Sequence, residues 1–331
     1  MSDVRRREFV TLLAGTVAAW PLAARAQQSA MPVIGVMSPL SVSTAARNLA
    51  ALRNGLRDLG YSEGRNIKLE YRFADGAPER YPALMAELIA SNPAVIVVGS
   101  TPAAVAASRV TRTTPVVWIG VADNPVALGL VESFARPGGN VTGFLMSGDA
   151  GIVGKRLELL KEAASPFVRV GVLVAPDYAA ADGTLNALPS AAQGLGLDAR
   201  VYEARSVAEI ETALTAAKRD GVQALYVSQS PVFLHHRAEI IERVATIRLP
   251  AIYFFREFVQ SGGLLSYGSD LADMYRRAAM YVDKIVKGAS PGELPVQSAE
   301  KFELAVNLKA AKTLGLAISE SFLLRADEVI E

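Results

Sequence analysis

Short runs of consecutive apolar residues, each closed by a turn and followed by an amphipathic stretch, recur along this chain. Residues 33–37 are such a run, ending at Ser38-Pro39. Residues 45–59 follow with Leu49, Leu52, Leu56 and Leu59 at helical spacing, closed by Gly60. Residues 67–71 alternate like a strand, and residues 81–91 read as a helix. Residues 95–98 form a second apolar run, stopped by Gly99-Ser100-Thr101-Pro102, and residues 116–119 form a third. Continuous apolar strands alternating with amphipathic helices predict a parallel sheet covered on both faces.

The pattern then repeats. Residues 170–174 lead to Ala175-Pro176 as residues 33–37 lead to Ser38-Pro39. Residues 224–227 lead to Ser228-Gln229-Ser230-Pro231, echoing 95–98 and Gly99-Ser100-Thr101-Pro102. Both units end on a proline-led strand, at Pro115 and at Pro250. Matched order and matched terminators predict two similar Rossmann-like α/β lobes. Ligands of open α/β sheets bind outside the carboxyl ends of the strands, so a cleft between facing lobes is the expected site.

Composition narrows the function. With 34 Lys+Arg against 33 Asp+Glu the net charge is +1, which gives no field for nucleic acid. The absence of Cys removes disulfides, thiolate nucleophiles, thiolate metal sites and lipid attachment through cysteine. The only two histidines, His235 and His236, are neighbours on a predicted helix and diverge. Neither a phosphate loop, a dinucleotide turn nor a G-x-S-x-G elbow occurs. No catalytic residue, metal ligand or cofactor site is therefore assigned.

Residues 1–26 read as an export signal. Arg5-Arg6-Arg7 is basic, an apolar stretch follows, and Ala24-Arg25-Ala26 fits a cleavage site after Ala26. Arg6-Arg7-Glu8-Phe9 resembles the twin-arginine pattern, with a general secretory signal as the alternative. The expectation is a periplasmic protein with no lipid anchor.

The loops at the predicted carboxyl ends supply the candidate ligand residues. Ser38 and Pro39 end the first strand. Ser100, Thr101 and Ala103 open a helix whose free N–H groups can hold a carboxylate, or form a plain cap. Asp123 and Asn124 follow the next strand; Asp123 can pair with an amine or cap the helix after Pro125. Asp177 and Tyr178 end the first strand of lobe two, and Gln229 and Ser230 offer neutral hydrogen-bonding groups. Of the Tyr253–Phe258 aromatics, Phe254 and Phe258 are assigned to the core and Tyr253 to the cleft. Arg256 can clamp a carboxylate or pair with Glu257 or Asp270. Tyr267 is a cleft candidate with a core role as the alternative.

Several stretches together carry a family resemblance. They are Pro32-Val33-Ile34-Gly35-Val36, Leu56-Arg57-Asp58-Leu59-Gly60-Tyr61, Thr101-Pro102-Ala103-Ala104 and Asp123-Asn124-Pro125-Val126. To these add Arg136-Pro137-Gly138-Gly139-Asn140-Val141-Thr142-Gly143 and Val306-Asn307-Leu308-Lys309-Ala310-Ala311-Lys312-Thr313-Leu314-Gly315. The chain resembles the bacterial ABC-transporter substrate-binding proteins of the tryptophan/tyrosine type, which have the type I periplasmic binding protein fold. The resemblance implies a binding protein, not an enzyme, that closes two lobes around a small carboxylate-bearing or aromatic solute. It implies delivery to an ABC permease in the inner membrane, and the protein is expected to be a monomer. A ligand sensor for a membrane receptor and an exported hydrolase are the alternatives. By the resemblance, the turn at Thr101 holds a carboxylate, and loops at Ser38-Pro39, Asp123-Asn124, Met146-Ser147, Asp177-Tyr178 and Gln229-Ser230 complete the cleft. Amino-acid-binding relatives tend to place an acidic residue where this chain has Gln229 and Ser230. Three crossings are expected, near 144–148, 262–265 and 293–296, with Gly262-Gly263 and Pro291-Gly292-Glu293 as hinge sites or ordinary turns; lobe one is then 32–145 plus 264–292, and lobe two 146–263 plus 293–331.

Overall fold

A computed structural model describes residues 31–146, 150–178 and 180–331. The expected signal at 1–26 and the candidate Ser147 lie outside the described residues. Two sheets build the molecule. In the first, β1 (Val33–Ser38), β2 (Lys68–Phe73), β3 (Val95–Gly99), β4 (Val116–Val121) and β5 (Val141–Leu145) run parallel in the order β5-β4-β3-β1-β2. The second contains β6 (Arg169–Val174), β7 (Asp198–Glu203), β8 (Ala224–Val227), β9 (Ala251–Tyr253) and β10 (Leu265–Ser269), ordered β10-β9-β8-β6-β7. The late strands divide between them. β11 (Gln297–Ser298) extends the first sheet beside β5. β12 (Phe302–Asn307) joins the second, antiparallel to β10, and carries β13 (Glu328–Ile330) on its outer edge.

The apolar runs become the central strands because both of their faces are covered. Every residue of β3 and β4 is buried. On the first sheet, α1 (Val42–Asp58) is capped by Ser41, whose Oγ accepts the Thr44 N–H at 3.4 Å. α2 (Tyr81–Ala90) and α3 (Thr101–Val110) cover the other strands. In the second lobe, α4 (Ala150–Ala164) and α5 (Ala180–Gly194) pack on one face. α6 (Val207–Arg219), α7 (Pro231–His235), α8 (Arg237–Ile247) and α9 (Arg256–Gln260) follow along the chain. α10 (Leu271–Val286) is the long helix after β10, and it returns to lobe one to lie against α1. The two helices approach so closely at Gly55 that a β-carbon there would stand 2.5 Å from the Arg276 carbonyl oxygen. α11 (Leu308–Leu314) and α12 (Glu320–Leu323) finish the second lobe.

The chain passes between lobes after β5, between β10 and α10, and between β11 and β12. The last two passages fall later than the expected positions near 262–265 and 293–296. Residues 264–269 belong to lobe two, and 293–298 stay with lobe one. Gly262-Gly263 suggested a passage, but it is a tight turn inside lobe two. Gly262 has φ of 113°, and a β-carbon on Gly263 would stand 2.6 Å from the Tyr253 ring. The two glycines let the chain double back under Tyr253 to enter β10.

Candidate functional site

The carboxyl ends of the strands of both sheets face each other across a cleft. Its inner part is a cavity of about 40 Å³. Pro39, Ser100 and Gly120 of lobe one line it with Met146, and Tyr178 and Phe255 of lobe two close it. A larger hollow of about 660 Å³ lies at the mouth, between the loop at Asp75–Tyr81 and the loops at Asp177-Tyr178 and Ser230-Pro231.

On the first-lobe wall, Ser38 is buried and its Oγ accepts the Leu40 N–H at 3.1 Å, which holds the turn around Pro39. Ser100 takes the left-handed region, with φ of 100°, and its Oγ accepts the Ala103 N–H at 3.5 Å. This is a cost for a residue with a β-carbon. It aims the first turn of α3 at the cleft; Ala103 itself is buried beneath that helix. The Thr101 hydroxyl accepts the Ala122 N–H at 3.1 Å and so ties this turn to the loop after β4. Beside it stands Asp123. Its Oδ2 is buried without a hydrogen-bond partner, and burial raises its pKa, with the Thr101 hydroxyl offsetting part of the rise.

The second-lobe wall is neutral. Tyr178 is buried, and burial holds its phenol protonated far above the ordinary range. Gln229 donates from Nε2 to the Tyr178 hydroxyl at 3.4 Å and to the Met146 sulfur at 3.2 Å. The Thr101 hydroxyl and the Asp123 carboxyl both act on the Tyr178 phenol, so the walls meet here. Ser230 caps α7, its Oγ accepting the N–H groups of Val232 and Phe233. Asp177 is exposed at the mouth, where it pairs with Arg205.

Four expected cleft residues sit elsewhere. Asn124 is exposed, and its Oδ1 accepts the N–H groups of Val126 and Ala127, a local turn cap. Tyr253 is buried and stacks on Phe258 at 4.5 Å, because in β9 it faces the α8 and α9 side of the sheet. Tyr267 stacks on Phe302 in the lobe-two core. Arg256 does form a carboxylate clamp, but for the protein's own groups. It donates from Nη1 to Glu303 at 2.7 Å and from Nη2 to Glu328. Arg47 reaches the same Glu303 from lobe one at 3.2 Å, so the network also joins the lobes. Phe254 and Phe258 are core residues, as expected.

The sequence reading missed Asn48, Phe255, Leu271 and Tyr275, which line the inner cavity. It also missed Arg156 of α4, which is 1% exposed. A signal existed for Arg156. It shares an apolar stripe with Val153, Leu157 and Leu160 at helical spacing, which places a guanidinium on the buried face.

The sequence profile of the family described as ABC transporter substrate binding protein matches residues 33–330. The chain belongs to that family. Family members are solute-binding proteins rather than enzymes. A tyrosine-binding protein of Clostridioides difficile is 26% identical over 262 residues, covering 79% of this chain and 74% of its own. A conserved domain protein from Vibrio cholerae superposes with a TM-score of 0.82 at 28% identity, covering 91% of this chain and all of its own. The ABC domain from Streptococcus pneumonia in complex with L-Trp superposes with a TM-score of 0.83 at 24% identity, with the same coverage. The fold of this substrate-binding family member is therefore the type I periplasmic binding protein fold.

Proposed function

We propose that this substrate-binding protein is exported and closes its two lobes around a small amino-acid-like solute, which it hands to an ABC permease. One observation carries the choice of solute. Asp123 presents a buried carboxylate oxygen with no partner at the carboxyl end of the first sheet, facing Tyr178. A buried carboxylate oxygen without a partner in a closing cleft calls for a cation, and a ligand ammonium supplies one. The acid that relatives place in the second-lobe loop is thus supplied from the first lobe, opposite neutral Gln229. The turn at Ser100-Thr101, at the start of a helix, is suited to the ligand's carboxylate. The aromatic wall of Tyr178, Phe255 and Tyr275 suits an apolar side chain. The relative named for tyrosine binding supports this class. Export rests on the signal-like residues 1–26, and delivery on the family.

A thermal-shift screen of the protein without residues 1–26 tests the proposal. The twenty amino acids and aromatic carboxylates are the panel. A true ligand at 100 times its Kd adds ~2.7 kcal/mol of stability. The absence of any shift across the amino acids overturns the amino-acid assignment. Export is tested by fusing residues 1–26 to a reporter; a reporter retained in the cytoplasm overturns it.

A further inference from the structure

Asn48 stands where the packing of α1 calls for an apolar side chain. It shares the buried face of that helix with Ala45, Leu49, Leu52 and Leu56, and it is 2% exposed. Its Oδ1 is buried with no hydrogen-bond partner. A partnerless amide oxygen on a buried helix face carries a cost that a leucine there would not. Such a group is accounted for when something outside the fold completes the bond. Asn48 lines the inner cavity of the cleft, about 40 Å³ in volume.

Tyr275 of α10 lines the same cavity. Its hydroxyl sits against Gly99, where a β-carbon would stand 2.5 Å from it. Burial raises the pKa of this phenol, with no hydrogen bond to offset the rise. The other walls are mostly apolar, with Leu40, Ile119, Met146 and Leu234 among them. A few placed polar groups within apolar walls are the make-up of a small-molecule site. The free space holds about two or three water-sized groups, so it receives the tip of a side chain. Ser100, from the turn suited to the ligand's carboxylate, and Tyr178, which adjoins Asp123, line this cavity too. A solute held at those residues by its amino-acid end therefore directs its side chain toward Asn48.

We infer that Asn48 sets side-chain specificity: its amide bonds a hydroxyl at the tip of the solute's side chain. A hydroxyl both donates and accepts, so it satisfies the Asn48 oxygen and is itself able to accept from the amide N–H. The inference rests on the amino-acid-like solute proposed above and narrows it to the members that bear a hydroxyl.

The test is calorimetric titration of the protein without residues 1–26 with paired probes. The pairs are L-tyrosine and L-phenylalanine, L-threonine and L-valine, and L-serine and L-alanine. Members of a pair differ in a hydroxyl, and the pairs separate a phenol from an aliphatic alcohol. In a pair that binds, the hydroxyl member should bind about tenfold or more tightly than its partner. Asn48→Ala and Asn48→Leu should each weaken the hydroxyl member about tenfold and bring the two members within about threefold of each other. A merely structural Asn48 weakens both members alike, and a ratio left unchanged in the variants overturns the inference. The parent comparison needs no variant, so the test stands even if neither variant folds. A parent that binds the plain member as tightly as its hydroxyl partner overturns the inference, assigns water to Asn48 and leaves the amino-acid reading standing. If none of the probes binds, the inference falls; the amino-acid reading falls with it only if the remaining amino acids also fail to bind.

Discussion

Gly76 of the first lobe faces His235 of the second so closely that a β-carbon on it would stand 2.6 Å from the imidazole Cγ. The contact lies at the mouth of the cleft, so it forms only when the lobes are together. Gly76 also has φ of 78°, where a side chain adds strain. Gly76→Ala is expected to bias the molecule toward an open arrangement, because the new methyl clashes only in the closed one. Small-angle scattering in saturating ligand should then show a larger radius of gyration than for the parent, and ligand affinity should fall about tenfold. His235→Ala in the same chain removes the ring contacts but leaves its own β-carbon 2.9 Å from the new methyl, so compaction should return only in part. A variant that closes as fully as the parent would remove this contact from the closing surface.

Arg256 gives a prediction that separates scaffold from site. Its guanidinium holds Glu303 and Glu328, and it does not line the cleft. Arg256→Ala should cost about 1.5–3 kcal/mol of stability, the range for hydrogen bonds to charged groups, with ligand affinity unchanged. The sign of the pH dependence follows from Glu303. Burial raises its pKa, while Arg47 and Arg256 oppose the rise. Without Arg256 the folded-state pKa climbs further above the unfolded value. A carboxyl group with a raised folded pKa destabilises the fold when ionised, so the deficit is full near neutral pH. It should shrink as pH falls through the raised folded value toward the ordinary carboxylate range. Denaturant melts at several pH values measure this. A deficit that grows on acidification would place the effect elsewhere.

The elements most legible in the sequence were those whose burial is complete. β3 and β4 are covered on both faces, so they appear as unbroken apolar runs. The second lobe was legible because β6 and β8 end in the same kind of turn as β1 and β3. Residues whose role depends on which face of a strand they occupy were not. Tyr253, Tyr267 and Arg256 sit near strand ends where cleft residues gather, but the sequence does not say which sheet face they meet or that Glu303 and Glu328 await Arg256. The crossings were misplaced for a related reason. Gly262-Gly263 has the composition of a hinge, and only the nearby Tyr253 ring shows why two glycines are needed inside lobe two. Arg156 was hidden by its type, since an arginine in a helix is usually solvated unless its place in the apolar stripe is counted.

Tyr178 and Gln229 form the neutral half of the cleft, which sets up a test by charge. Gln229→Glu would bury a carboxylate beside the Tyr178 hydroxyl and the Met146 sulfur, with no cation in contact. The empty variant should melt earlier, by about 1–3 kcal/mol of stability, the cost of a buried group with poor partners. Affinity for a ligand with an ammonium group should be kept or raised, whereas affinity for the matching non-amino carboxylate should fall. Equal changes for the two ligands would mean that position 229 does not face the ligand's charged end.

Asp123 yields opposite pH dependences for stability and for binding. Burial raises its pKa, so the empty folded protein holds this proton more tightly than the unfolded chain does. Ionised Asp123 is therefore a destabilising group at neutral pH. Its contribution improves as pH falls through the raised folded value toward the ordinary one. An ammonium-bearing ligand needs the ionised carboxylate. Its affinity should be level above the raised pKa and then fall, by up to about tenfold per pH unit, until the pKa of Asp123 in the complex is reached. Asp123→Asn should remove both trends. The variant should be at least as stable as the parent near neutral pH and bind the ligand about tenfold or more weakly there, with a flat pH profile for this step. Titration calorimetry from about pH 7 down to about pH 4, with melts under the same conditions, measures both curves. A parent whose affinity is unchanged across that range would exclude Asp123 as the partner of the ammonium.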